Sequence, residues 1–317
     1  MTSSQYPRIT PLASRSDLEK KLESGFLYLT LLFALSIGVI LVSITFIILV
    51  RAWPAITTFG LGFITNNTWN PVRDDYGALA VIVGTLVNSL IALLIAVPLG
   101  LGTAVFLSEN FIPLQIRTVL VFLVELLAAI PSVVYGLWGI FIIIPLIKLV
   151  GMWLNEFFGW IPLFATKPAG PGMFPASVVL AIMILPIITA ISRDSLASLP
   201  PELRQASLGL GATRWETIFR VLVPAAISGI VGGVMLAFGR AMGETMAVTM
   251  IIGNSNKLSA SILDPANTIA SLLANQFAEA SGLQVSALMY AAFVLIVLTF
   301  VVNVFAELIV NKVKAKY

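Results

Sequence analysis

Apolar residues in this chain come in long unbroken runs, not at the alternating or 3.6-residue spacing that turns one face of an element toward a soluble core. Six runs approach or exceed the length, about 20 residues, that a helix needs to cross a hydrocarbon layer about 30 Å thick. They cover approximately 27–50, 78–107, 116–150, 174–191, 224–252 and 287–310. The pattern predicts an all-α membrane protein with six transmembrane helices in a single domain over 27–310, between polar tails at 1–26 and 311–317. The tail before the first run carries Arg8, Arg15, Lys20 and Lys21, and no small-residue cleavage site follows it, so the first run reads as an uncleaved span.

The third run is too long for one perpendicular crossing, since as a helix 116–150 would reach about 52 Å. It is predicted as one long helix bent where Pro131 removes a backbone hydrogen bond, or as a span with a re-entrant piece. Two full spans are disfavoured by charge. With six spans, the N-terminal tail, Arg117, the segment holding Arg193, Arg204, Arg214 and Arg220, and the C-terminal Lys312, Lys314 and Lys316 share one side. The other side holds Arg51, Arg73, Lys148, Lys167 and Lys257. The side richer in Lys and Arg is cytoplasmic, so both termini are expected inside the cell. Trp53, Trp69, Trp153, Trp160 and Phe164 near the outer edges fit an interfacial aromatic belt.

Composition agrees and narrows the chemistry. Of 317 residues, 59% are apolar and 10% charged, and the net charge is +3, where a soluble domain carries roughly a quarter charged residues. The small positive excess reports topology, and no nucleic-acid partner is read from it. With no Cys and no His, disulfides, thiol nucleophiles, imidazole bases and Cys or His metal ligands are excluded. No metal, cofactor or catalytic residue is expected.

The segment 195–223 between the fourth and fifth runs is polar, amphipathic and built for helices. Ser198 can cap a helix opened by Pro200 and Pro201, Gly209 and Gly211 can stop it, and Thr213 with Glu216 has capping-box spacing for a second helix leading to Pro224. Within it, Gln205-Ala206-Ser207, then Gly211, then Val221-Leu222-Val223-Pro224 resembles the EAA loop of ABC-importer permeases, Glu-Ala-Ala, three residues, Gly, nine residues, Ile-x-Leu-Pro. The spacing matches throughout, with Gln205, Ser207, Val221 and Val223 as departures. In that family the loop docks a short helix into a groove of the ATP-hydrolysing subunit, a recognised use of an amphipathic helix. No Gly-x-x-x-x-Gly-Lys-Ser/Thr occurs in the chain, so the resemblance implies that ATP hydrolysis lies on a separate subunit.

The fifth run carries charge where hydrocarbon is expected. Arg240 and Glu244, read as one continuous helix, lie on one face at pairing distance, together with Ala226, Gly229, Gly233, Ala237 and Ala247. Such charges normally face protein or water and mark a transport path, so Arg240 is the candidate cation for an anion, with Glu244 tuning it. The structural alternative is a self-neutralising pair while Gly229 and Gly233 pack against a neighbouring helix. Glu125 in the third run is a second deep acid, expected to pair with Arg240 or to bond a neighbouring helix.

These segments, with Ile130-Pro131-Ser132-Val133-Val134-Tyr135-Gly136 and Thr68-Trp69-Asn70-Pro71, make the chain similar to phosphate-specific ABC-importer permeases from about Trp53 to Ala306. The resemblance implies a type I ABC-importer permease fold in the bacterial cytoplasmic (inner) membrane. It also implies a PstA-type second permease, two copies of a PstB-type cytoplasmic ATPase and a PstS-type extracytoplasmic phosphate-binding protein. A permease for molybdate or sulfate remains the alternative within this class. An ion-driven secondary carrier is a further one, though no second copy of the charged segment is present.

Overall fold

The computed structural model describes residues 17–314 except Asn110, with side chains from 21 to 308. The tail residues Arg8, Arg15 and Lys316, which entered the charge argument above, lie outside the described residues.

The chain divides into two units, residues 1–47 and 48–317. The first holds the start of α1 (Asp17–Phe59), whose side chains up to residue 47 are almost all exposed. Its apolar, hydroxyl-bearing surface is suited to lipid, because Thr30, Ser36, Ser43 and Thr45 return their hydroxyls to the helix's own carbonyls at 2.7–3.0 Å.

In the second unit, α1 ends with Ala52 and Ala55 buried, and α2 (Gly62–Thr65) and a two-stranded hairpin, β1 (Trp69–Asn70) and β2 (Asp75–Tyr76), follow. Phe63, Tyr76 and Tyr290 are buried there, with the Phe63 and Tyr290 rings stacked at 4.3 Å. Burial and a hydrogen bond to Asp74 hold the Tyr76 hydroxyl up at about 12. Then come α3 (Leu79–Ser108), α4 (Leu114–Ala129), α5 (Ser132–Trp138), a π turn (Gly139–Ile143) and α6 (Ile144–Phe158). After a 3₁₀ turn at Pro162–Phe164 the chain forms α7 (Met173–Ala197), α8 (Pro201–Gly209), α9 (Arg214–Thr217), a second π turn (Ile218–Leu222) and α10 (Val223–Gly243). Three further helices close it: α11 (Met246–Ile251), α12 (Ile269–Gln276) and α13 (Leu283–Lys314).

Six of the described helical segments are long and apolar enough to span a membrane: Lys21–Phe59, Leu79–Ser108, Ser132–Phe158, Met173–Ala197, Arg214–Gly243 and Leu283–Leu308. Helix α7 is the hub, 61% of its most apolar stretch being buried against its neighbours, with Val179, Leu180, Ile184 and Ile188 in the main core.

Of the two forms expected for the third apolar run, the single bent helix is the one corrected. The run forms two helices separated by Ile130, which is extended at φ −67° and ψ 128°. The cause is steric as well as a missing donor: the Pro131 ring disfavours helical backbone in the residue before it. The Pro224 region departs from expectation in the opposite sense, since the helix begun at Arg214 runs on to Gly243 through a π turn instead of stopping at the proline. Both π turns end two residues before a proline, Pro145 and Pro224. A wider turn there relieves the clash that the ring makes with the preceding turn.

Candidate functional site

Two helix breaks come together beside Arg240. The first is Ile130–Pro131. The second is Glu244, which terminates α10 in an extended conformation (φ −66°, ψ 124°) before α11 begins at Met246. Helices α5 and α11 pack directly, because Gly136 has no side chain and the backbone of Ala247 and the side chain of Met250 occupy the space a Cβ would need. Tyr135, on the same short helix, donates its hydroxyl to the Leu127 carbonyl at 2.8 Å. It thereby supplies a donor that the α4 terminus loses at the break.

Arg240 stands in the last turn of α10, close enough to Tyr135 to act electrostatically on its hydroxyl. Its side chain is exposed, and among the described residues it pairs with no acid, nor Glu244 with any base. The expected Arg240–Glu244 pair on one helix face is therefore corrected. That expectation required an unbroken helix, and the helix ends between the two charges. What stabilises Arg240 within this chain is the negative end of the α10 dipole, worth about 0.3–1 kcal/mol for an exposed cation. An arginine at the centre of a spanning helix would cost about 3 kcal/mol on insertion scales; Arg240, in the last turn of its segment, lies where the cost is smaller, and no acid among the described residues offsets it.

The small residues assigned to the Arg240 face have another duty. Ala226, Gly233 and Ala237 are buried; Gly229 lies against Ser195 and Gly233 against Ile191 of α7. They let α10 approach α7 closely, which is the packing role of small residues in membranes. The exposed stripe is instead Ala225, Ser228, Gly232, Leu236, Arg240 and Gly243. At its C-terminal end a cavity of about 510 Å³ opens between Gly243, Thr245, Leu273, Phe277 and Leu295.

Glu125 belongs elsewhere. Its carboxylate lies 3.5 Å from Arg193 of α7, which also binds Asp194 at 2.8 Å, so of the two expected partners it takes the neighbouring helix and not Arg240. Helix α4 buries none of its residues, and Glu125 is half-exposed within the chain.

The segment after α7 forms two short helices around a glycine turn. Gly211 has φ +86°, and its N–H and that of Ala212 return to Leu208 and Ser207 at 3.0 and 3.2 Å, closing α8 with a left-handed residue. The capping box of α9 is complete: Thr213 Oγ1 accepts from the Glu216 N–H at 3.3 Å and Glu216 Oε2 accepts from the Thr213 N–H at 2.9 Å. Ser198 departs from its expected role. It ends α7 and donates its hydroxyl to the Ser195 carbonyl at 2.9 Å, while Pro200 takes the N-cap position of α8. Gln205 and Ala206 are exposed on α8, Ser207 shares a 2.9 Å hydrogen bond with Thr217, and Pro224 lies in the first turn of α10.

One residue here escaped the sequence reading. Arg204 reaches Glu109 at the end of α3 at 3.0 Å and the Leu196 carbonyl of α7 at 3.0 Å. Both charged side chains are less than a quarter exposed. This fork ties α8 to two spanning helices at once. Glu109 and Arg204 are 95 positions apart, and nothing local in the sequence joins them.

Comparison with known proteins adds three findings. The family described as "Binding-protein-dependent transport system inner membrane component" matches residues 96–315. The "Phosphate transport system permease protein PstC" of Pasteurella multocida (strain Pm70) is 43% identical over 93% of this chain and 93% of its own length. Its namesake in Xylella fastidiosa (strain Temecula1) is 40% identical over 100% of this chain and 99% of its own. In fold, the chain is similar to a bacterial ABC transporter involved in import of the acidic polysaccharide alginate, with a TM-score of 0.55, 17% identity, and 94% and 99% of the two chains covered.

Proposed function

The chain belongs to the family of binding-protein-dependent transport system inner membrane components, and from that membership we infer that it is the permease subunit of an ATP-driven importer that carries inorganic phosphate across the cytoplasmic membrane. The observation that carries this reading is the near full-length, 43% identical likeness to a phosphate transport system permease. The geometry of the arginine supports it. An uncompensated cation, exposed at the junction of two broken helices, is suited to an anion that must leave water, since a buried charge needs an opposite charge and hydrogen bonds.

Arg240 is the anion-contacting group in this proposal, and Glu244 and Tyr135 shape its surroundings. Glu125 acts at one remove, through Arg193. A homologous second permease covers the exposed α10 stripe and completes the path, and an extracytoplasmic binding protein delivers the phosphate. A cytoplasmic ATPase, in two copies, docks on Gln205, Ala206 and the exposed face of α8, and hydrolyses the ATP for which this chain has no phosphate-binding loop. Motion of the ATPase enters through α8 and reaches α3 and α7 by way of Arg204.

Two measurements test the reading. Membrane vesicles holding the complete transporter should accumulate labelled phosphate only when ATP is supplied, and a hundredfold excess of sulfate or molybdate should leave uptake nearly unchanged. Uptake driven by an ion gradient without ATP would point to a secondary carrier. Orientation is tested separately, with a reporter active only outside the cell. Fused after Lys316 it should be silent, and inserted between residues 253 and 265 it should be active; the reverse pattern would overturn the cytoplasmic placement of the termini.

A further inference from the structure

A groove of about 500 Å³ runs along the outside of the helical bundle where α3 ends and the span beginning at Arg214 starts. Helix α3 supplies Leu101, Gly102 and Phe106, and Phe111, Trp215 and Phe219 close the other side. The aromatic rings form a continuous row: Phe106 stacks on Phe111 at 6.1 Å, Phe111 meets Trp215 at 5.8 Å, and Trp215 stacks on Phe219 at 5.9 Å. Phe106, Trp215 and Phe219 are nevertheless 41–59% exposed, so the row is an open wall of the groove. Its floor is missing a side chain, since a Cβ at Gly102 would meet nothing within 4 Å.

Among the described residues, the two arginines beside this wall form no ion pair. Arg214 and Arg220 flank Trp215 and Phe219 on the same helical segment, and both are exposed. Glu216, on which Arg220 acts electrostatically, already accepts the Thr213 N–H and hydroxyl in the capping box.

We propose that this groove is a binding site for an anionic phospholipid, with one acyl chain lying along the aromatic row over Gly102 and the phosphate held by Arg214 and Arg220. The position is that of a membrane–water boundary, because two spanning segments terminate there and a tryptophan sits between the apolar groove and the cations. The dimensions favour a single chain over a protein helix. A helix with side chains is about 10 Å across, and a space of this volume would take about one turn of it. The two unpaired arginines select the headgroup, since a cation at a membrane surface attracts an anionic lipid and gains little from a zwitterionic one.

The test uses the assembled transporter reconstituted in phosphatidylcholine vesicles with increasing fractions of chain-brominated phosphatidylglycerol or chain-brominated phosphatidylcholine. The quenching of Trp215 is obtained as the difference between wild type and the Trp215→Phe variant. Brominated phosphatidylglycerol should quench this component at a mole fraction several-fold lower than brominated phosphatidylcholine does. Removing each arginine (Arg214→Gln, Arg220→Gln) should weaken the preference by about fivefold. Gly102→Leu should fill the groove without displacing any neighbour and reduce quenching by both lipids. Equal quenching by the two lipids, unchanged in the arginine variants, would show an undifferentiated lipid-facing surface and overturn the proposal. Absence of quenching by either would overturn it too, by showing that protein covers the groove. Arg214 and Arg220 are exposed, so the selectivity measurement stands even if Gly102→Leu lowers the amount of folded protein.

Discussion

Arg240→Gln is expected to abolish phosphate uptake while leaving the amount of transporter in the membrane unchanged. Glutamine keeps the polarity and much of the length of arginine but loses the charge and the forked pair of donors that match a phosphate's oxygens. Hydrogen bonds to charged groups contribute about 1.5–3 kcal/mol each, so losing two lowers transport by at least about a hundredfold at 1.36 kcal/mol per power of ten. Lysine at 240 should recover only a fraction, because a point charge cannot reproduce the fork. Abundance should hold because the substitution breaks no ion pair among the described residues and removes a charge instead of stranding one. Glu244→Gln should retain uptake at an altered rate. Labelled phosphate uptake and immunoblotted membrane protein, measured for the single variants and for Arg240→Gln with Glu244→Gln, separate the outcomes. Transport in the double neutral variant would remove Arg240 from the path, since the anion would then cross with no charge at this position.

Much of this site could be read from the chain, and the failures share a physical origin. Spanning segments announce themselves because burial in lipid demands length and apolarity, which composition records directly. The glycine turn at Gly211 and the capping box at Thr213 and Glu216 were legible for a similar reason: each is a local backbone requirement met by residues a few positions apart. Interruptions inside an apolar run are harder to see. At Ile130 the proline gave warning of a bend but not of a complete stop, and at Glu244 neither side of the break carries a proline. Hydropathy is continuous across Gly243 and Met246, so a helical projection drawn through Arg240 and Glu244 placed them together when the backbone separates them. Tyr135 stood in an uninterrupted apolar string, and its role follows from the Leu127 carbonyl that the break exposes. The Arg193–Glu125 and Arg204–Glu109 pairs depend on which helices become neighbours, and that is decided by packing against α7, not by spacing along the chain.

The second large effect is expected at α8 and α9, where the backbone at Gly211 and the fork of Arg204 should both be required to turn ATP hydrolysis into transport. Gly211 holds φ +86° with open space around it, so substitutions there report backbone strain without steric collision. A left-handed conformation costs an L-residue about 1–2 kcal/mol, least for Asn and most for β-branched side chains. Uptake should therefore fall in the order Gly, Asn, Ala, Val, with Gly211→Val retaining about a tenth of wild-type transport or less. Arg204→Gln should act at the other end of α8. It leaves Glu109, 18% exposed, without its cation and the Leu196 carbonyl without its donor, so α8 loses its hold on α3 and α7. Leaving a mostly buried charge unpaired in this way costs about 1–3 kcal/mol or more. The decisive quantity is phosphate carried per ATP hydrolysed, because a helix that still docks but no longer transmits will let the ATPase run while transport stops. Exchanging the pair, Arg204→Glu with Glu109→Arg, should recover part of that ratio, whereas each single reversal should not. If hydrolysis and uptake fell together in Arg204→Gln, with the ATPase lost from the purified complex, the fork would hold the docking surface in shape and would not be a transmitting contact.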